Sequence, residues 1–337
     1  MTDLVGLIFV KLLNWKGYDD MKKLICSIVS ATMLMSVFGN VVSFANESET
    51  SISQLEPVGE IGVEFISVEK DIKKADSELL SASNLDELAE ISRRRFEADS
   101  SNYSKEKMER IERVMSEYEE MTNNSNGVVV ASESETQEEY IIGNRGLLAF
   151  FCVEDGMSVS DVYTASTIGE NALEEAKSVY PNSSDAGGLR DSYRHFTWNH
   201  RMADSLSQVD ARIVGCNYEW AGILENYAQN LYVDYIAEGL TETEASYKAC
   251  LYAIYFRDEC YSVCASSQSY FTSFFDNADI RDLWNNCYGR AYAVNYSYNH
   301  GTAFNVAVAN NELINSDSAV TSSHIYSVWS WDWYTAI

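Results

Sequence analysis

Arg190-Asp191-Ser192-Tyr193-Arg194-His195-Phe196-Thr197-Trp198-Asn199 is the stretch on which the reading of this chain turns. Wound at about 100° per residue, it places Asp191, His195, Trp198 and, a turn later, Met202 within about 60° of one another. Asp191 and His195 are then i,i+4 neighbours, close enough to touch. A carboxylate beside an imidazole fixes its tautomer and raises its basicity, which general-base chemistry needs. The same pair equally serves as a helix-surface ion pair or a satisfied core histidine.

The neighbouring segments have helical length and pattern too. They run over 162–179, stopped by Pro181, and over 210–238, followed by Gly239. Another is opened by Thr241-Glu242-Thr243-Glu244, a capping-box pattern, and runs to about residue 264, and a last one covers 279–295. Val-Ile-Thr alternation is sparse, so the expected fold class is mainly α, a compact multi-helix C-terminal domain. The tail from Ser297 onward carries no clear pattern.

Composition divides the chain near residue 140. Residues 46–140 hold 24 acidic and 10 basic residues but five aromatics, whereas residues 141–337 hold 32 of the 42 aromatics. Only the second region has the apolar material for a large core. Residues 46–122 read as an acidic helical arm, partly disordered, with helices over 86–98 and 104–121. Met108, Ile111, Met115 and Tyr118 make one stripe there, suited to packing on a neighbouring helix. Residues 123–140, rich in Asn, Ser, Glu and Gly, read as a linker, and 141–337 as the helical domain.

The N-terminus has the layout of a secretory signal over 21–45. Met21-Lys22-Lys23 is basic, 24–38 is an uncharged apolar run, and Ser43-Phe44-Ala45 places small residues before a cleavage at Asn46. The whole uncharged stretch 24–45, 22 residues long, would also serve as an anchor. Gly39, Asn40 and Ser43 make its second half polar, favouring cleavage and no stable membrane insertion afterwards. Asp19 and Asp20 lie awkwardly upstream, and Lys16-Gly17 is necessarily encoded by a purine-rich AAR-GGN stretch. Residues 1–20 are therefore expected to be an untranslated segment ahead of a start at Met21. The expected address is secreted, by Gram-positive-type export.

Removing residues 1–45 takes away four basic and three acidic residues and leaves 20 Lys and Arg against 48 Asp and Glu, a net charge of −28. Such a charge repels nucleic acid and anionic membranes, so no nucleic-acid partner is expected. Six cysteines remain (Cys152, Cys216, Cys250, Cys260, Cys264 and Cys287). They permit three disulfides or six buried thiols.

Polar residues cluster elsewhere in the domain. Arg190, Arg194 and Arg201 share a stripe of the 190–206 helix, three of only ten basic residues in the region. They suggest an anion clamp or pairing with the surplus acids. On the next helix Gly215, Glu219, Gly222 and Asn226 share a face, and glycines beside a glutamate let another backbone crowd its carboxylate. On the last helix Asp282, Asn286 and Gly289 share a face with Asn285 at its edge. Adjacent asparagines inside a helix are unfavourable unless their amides find partners.

The Arg194-His195-Phe196-Thr197-Trp198-Asn199 run matches R-H-x-x-W-N. Asp282-Leu283-Trp284-Asn285-Asn286-Cys287-Tyr288-Gly289-Arg290 matches D-x-x-N-N-x-x-G-R. Together they resemble an uncharacterised bacterial helical domain family of the DUF6973 type, over residues 162–295. The resemblance implies a helical fold and a shared polar centre, and no established activity. That family commonly has a His-Glu pair between the two motifs, where this chain has Tyr218-Glu219.

Two function classes follow. In the first the chain is a non-catalytic extracellular or cell-surface binding protein. Its acidic arm and aromatic tail (Tyr326, Trp329, Trp331, Trp333, Tyr334) would contact an extracellular ligand or cell-wall component. The alternative is a secreted hydrolase with His195 as general base, oriented by Asp191 or Asp282, and Glu219 as a second acid or base. Arg194, Trp198, Asn199, Asn285, Asn286 and Arg290 would then hold the substrate and a developing oxyanion. The arrangement is faintly similar to the histidine helix of bacterial phospholipases A2, which carry Asp where Phe196 stands. A metal version would recruit His195, Glu219 and Asp282, but H-E-x-x-H, C-x-x-C, EF-hand, G-x-S-x-G, G-x-G-x-x-G and P-loop patterns are all missing, so no cofactor is expected.

Overall fold

The structure is a computed structural model that describes residues 75–124, 141–184 and 186–330. The signal segment, the upstream segment, the linker and the end of the aromatic tail (Trp331, Trp333, Tyr334) lie outside the described residues, with the single exception of the linker's first two residues. Eleven α-helices and no strand occur among the described residues. They are α1 (Leu85–Ala98), α2 (Lys105–Asn124), α3 (Asn144–Glu154), α4 (Val159–Val179), α5 (Leu189–Ser205) and α6 (Gln208–Ala237). Then follow α7 (Glu242–Ser266), α8 (Gln268–Phe274), α9 (Asn277–Asn295), α10 (His300–Ala309) and α11 (Ser322–Val328). None of these helices is long and apolar enough to cross a membrane.

The helix starts are written locally. Ser158 and Ser207 accept from the backbone N–H three residues on, and Thr241–Glu244 and Asp276–Asp279 form full capping boxes. The start of α5 is different. Gly187 and Gly188 stand at φ 79° and 86°, a left-handed geometry glycine adopts without strain. That turn aims the Gly187 N–H at Asp191, so the loop is already part of the polar centre.

The acidic arm's described helices are spent within the chain. Ile111, Met115 and Tyr118 of α2 and Phe96 of α1 join the same core as α6 and α7. Tyr252 of α7 donates to the carbonyl of Ala89 at 2.9 Å, and Phe96 sits edge-on to Tyr252 at 5.6 Å. The stripe on α2 therefore does pack on neighbouring helices. All six cysteines among the described residues are buried free thiols, the second of the two states their number permits.

Helix α5 is central to the site, packing on α4, α6, α9 and α10. Its crossing with α9 is close because of Gly289, where a Cβ would lie 2.2 Å from the carbonyl oxygen of Phe196. Phe196 itself is fully buried with Tyr193, Tyr292 and Phe304 in a second apolar cluster. The position after the histidine is thus core, with no role like that of the phospholipase Asp.

Candidate functional site

Helices α5 and α9 each present polar residues one turn apart to a common seam, which α6 joins with one carboxylate. Asp191, His195 and Asn199 come from α5, Asp282, Asn286 and Arg290 from α9, and Glu219 from α6. All are buried, His195 and Asp191 at 1 % exposure and Asn199 and Asn286 at 0 %. Gly215 lets α6 close on the seam. A Cβ there would meet Asn199 Oδ1 at 3.0 Å and Asn286 Nδ2 at 3.3 Å.

The bonding settles the tautomer of His195. Arg194 Nη2, which has only hydrogens to offer, lies 2.6 Å from His195 Nε2. Nε2 therefore accepts, and Nδ1 carries the proton and donates to Asn286 Oδ1 at 3.1 Å. Asn199 Nδ2 donates to that same oxygen at 2.7 Å, and Asn199 Oδ1 accepts from Arg290 Nη1 at 3.0 Å. Burial, reinforced by the Arg194 charge, pushes the imidazole down to about 3, so the ring is neutral.

Two carboxylates flank Nε2. Asp191 Oδ1 is 3.7 Å away and accepts from Arg194 at 2.7 Å. Asp191 Oδ2 accepts from Arg281 Nη2 at 2.6 Å and from the Gly187 N–H at 2.9 Å. Asp282 Oδ2 is 3.3 Å from Nε2, while its Oδ1 accepts from Arg281 Nε at 3.0 Å. Burial pushes Asp282 up to about 6 against the pull of Arg281 and Arg194. Burial, then the charges of Asp282 and Asp279, raise Glu219 well above the ordinary carboxylate range. Glu219 Oε1 has no hydrogen-bond partner. Asp191, His195 and Asp282 together offer three donor atoms within 4.8 Å of one another.

A cleft of about 300 Å³ opens on one side of this centre. Arg194, His195, Trp198 and Tyr218 line it, together with Tyr118, Arg145, Leu148, Glu170 and Leu173. Arg194 is the charged group that bridges cleft and centre, its side chain 24 % exposed where the His195 ring is sealed. Trp198 is held by its Nε1–H to the carbonyl of Ala165 at 3.1 Å, with Tyr218 edge-on at 5.3 Å.

Of the residues expected to hold substrate, Arg194 and Trp198 reach the cleft. Asn199, Asn286 and Arg290 are sealed behind His195 and bonded to one another. Asn285 spends its amide on the backbone of Ile314, donating to its carbonyl at 2.9 Å and accepting from its N–H at 3.0 Å. The three arginines of the α5 stripe do not act together. Arg190 Nε donates to the Tyr180 carbonyl at 2.8 Å, and Arg201 pairs with Glu175 and His300. Only the Gly215 side of Glu219 is crowded, since Gly222 is exposed and a Cβ there would make ordinary contact with Asn144 at 3.5 Å.

Arg281 and Tyr218 escaped the sequence reading. Arg281 is 3 % exposed and clamps both aspartates, yet its motif neighbours give no hint that it turns inward. Tyr218 lines the cleft and lies 6.3 Å from the His195 ring. No family model matches the chain, and neither the curated proteins nor the solved structures contain a match.

Proposed function

We propose that this chain is an exported bacterial binding protein of the DUF6973 type, whose cleft takes a small carboxylate-bearing ligand such as a cell-wall fragment. The observation that carries this reading is Arg194. Its guanidinium stands between the cleft and the buried centre and already caps His195 Nε2. A nitrogen that is accepting from arginine has no lone pair left for a substrate proton, which weighs against His195 as general base. An arginine flanked by Trp198 and Tyr218 suits an anionic group carried on an apolar or sugar body. The 25-residue layout from Met21 to Ala45 supports export, and the mature chain is expected to begin at Asn46.

The test is titration of the exported chain with soluble muropeptides and with neutral chitooligosaccharides, followed by Trp fluorescence. Saturable quenching by the muropeptides, weakened about tenfold or more in Arg194→Met and not seen with the neutral sugars, is the expected result. Hydrolysis of the muropeptides by the wild type, lost in His195→Gln, would instead establish the hydrolase.

A further inference from the structure

We propose that Asp191 Oδ1, His195 Nε2 and Asp282 Oδ2 form a binding site for one divalent transition-metal ion, of the Zn²⁺ or Mn²⁺ class, and that Arg194 swings into the cleft when the ion binds. The inference goes beyond the cleft's ligand and does not depend on it.

The three donor atoms are held facing one another by partners behind them. Arg281 takes Asp191 Oδ2 at 2.6 Å and Asp282 Oδ1 at 2.9 Å, which turns the other oxygen of each carboxylate toward His195. Asn286 accepts from His195 Nδ1 at 3.1 Å, which fixes the tautomer whose lone pair is on Nε2, the pair that Arg194 now caps and would release on swinging away. An imidazole held by its remote N–H and carboxylates held by their outer oxygens are the outer-shell pattern of metal ligands.

The spacing also fits. Bonds of about 2.1 Å in a tetrahedral shell put neighbouring ligand atoms about 3.4 Å apart. Nε2 lies 3.3 Å from Asp282 Oδ2 and 3.7 Å from Asp191 Oδ1. Positive charge is already drawn to this point, because Arg194 Nη2 sits 2.6 Å from Nε2 and 2.7 Å from Asp191 Oδ1. Arg194 reaches the cleft at 24 % side-chain exposure, so it has somewhere to go.

Glu219 is the independent observation. It is 8 % exposed, and its Oε1 has no hydrogen-bond partner. Along α6 it lies one turn beyond Gly215, which faces Asn286, and along α9 Asp282 lies one turn before Asn286. The two helices thus bring Glu219 against Asp282, and Asp282 is the first charge felt by Glu219. A buried carboxylate oxygen without a donor is costly. A water bound to the metal would supply that donor. One imidazole with carboxylates suits Zn²⁺ or Mn²⁺, whereas thiolates would be needed for softer ions and oxygen alone for Ca²⁺ or Mg²⁺.

The test is titration of the metal-stripped mature chain with Zn²⁺ by calorimetry, in excess Mg²⁺ to fill weak surface carboxylates, with ¹⁵N NMR of the histidines. One ion per chain is expected, with the His195 Nε2 resonance shifted and its Nδ1–H retained. Asp282→Asn should weaken binding about tenfold or more, and Arg194→Met should tighten it by removing the competing cation. An unshifted His195 resonance, or Zn²⁺ binding weakened in Arg194→Met, would overturn the proposal. Both readouts remain decisive if Asp282→Asn fails to fold. Zn²⁺ binding without muropeptide binding would sink only the preceding ligand assignment.

Discussion

Gly289→Ala tests whether the polar centre exists because two helix backbones touch. The new Cβ would lie 2.2 Å from the carbonyl oxygen of Phe196, about 1 Å inside the closest tolerable approach. No flexible side chain is there to give way, so α5 and α9 must part by about that distance. Overpacking of this kind costs about 1–3 kcal/mol. The same displacement stretches the bonds from His195 and Asn199 to Asn286, now 3.1 and 2.7 Å, at about 0.5–1.5 kcal/mol each. Better helix propensity returns about 1 kcal/mol. The expected net loss is about 3 kcal/mol, or a fall in Tm of about 6–12 °C for a domain of this size. Urea and thermal unfolding followed by circular dichroism measure it. Gly222→Ala is the control, since its Cβ meets only Asn144 at 3.5 Å. It should be neutral or stabilising by up to about 1 kcal/mol. A Gly289→Ala chain as stable as wild type would show that α5 and α9 are not packed as described.

Arg281→Met should destabilise the chain by about 3–5 kcal/mol in urea unfolding, because it leaves two buried aspartates without their shared partner. An unchanged midpoint would mean the aspartates are solvated. Burial lowers His195 to about 3 and His200 to about 4, so the unfolded chain takes up protons first as pH falls. Their contribution is intact above about pH 6.5 and is lost toward pH 4 and 3, while Asp282, raised to about 6, regains stability on protonation over part of the same window. Both imidazoles should still be neutral by NMR at about pH 5, and a midpoint near 6.5 for either would contradict its burial. The buried cysteines should be silent to a thiol reagent in the native chain and all react after unfolding, with Tm indifferent to reductant. Fewer reactive thiols after unfolding would reveal disulfides.

The helices that the sequence made legible have their signals within a few residues. Thr241 and Glu244 predict the start of α7, and the 190–206 expectation meets α5 at Leu189–Ser205. Helix α3 was missed because Leu147, Ala149, Phe150, Phe151 and Cys152 are buried on nearly every side, which erases periodicity. Helices α10 and α11 are short and lie in the unpatterned tail. The expected Asp191–His195 neighbourhood is real, but at 3.7 Å with the Arg194 guanidinium reaching both, so the dyad is not a simple one.

By itself the sequence determined the helical class, the caps, the acidic balance and the residues of one helix face. Each follows from chemistry local to a few positions or summed over the whole chain. Which carboxylate oxygens meet Nε2, which asparagine buttresses a loop and which arginine meets the cleft were decided only by the tertiary structure. His195 and Asn286 are 91 positions apart, as are Asn199 and Arg290. Only the crossing of α5, α6 and α9 sets their distances and withdraws them from water. That withdrawal makes the imidazole a neutral acceptor and raises Asp282 and Glu219, because charge is costly where solvent cannot reach.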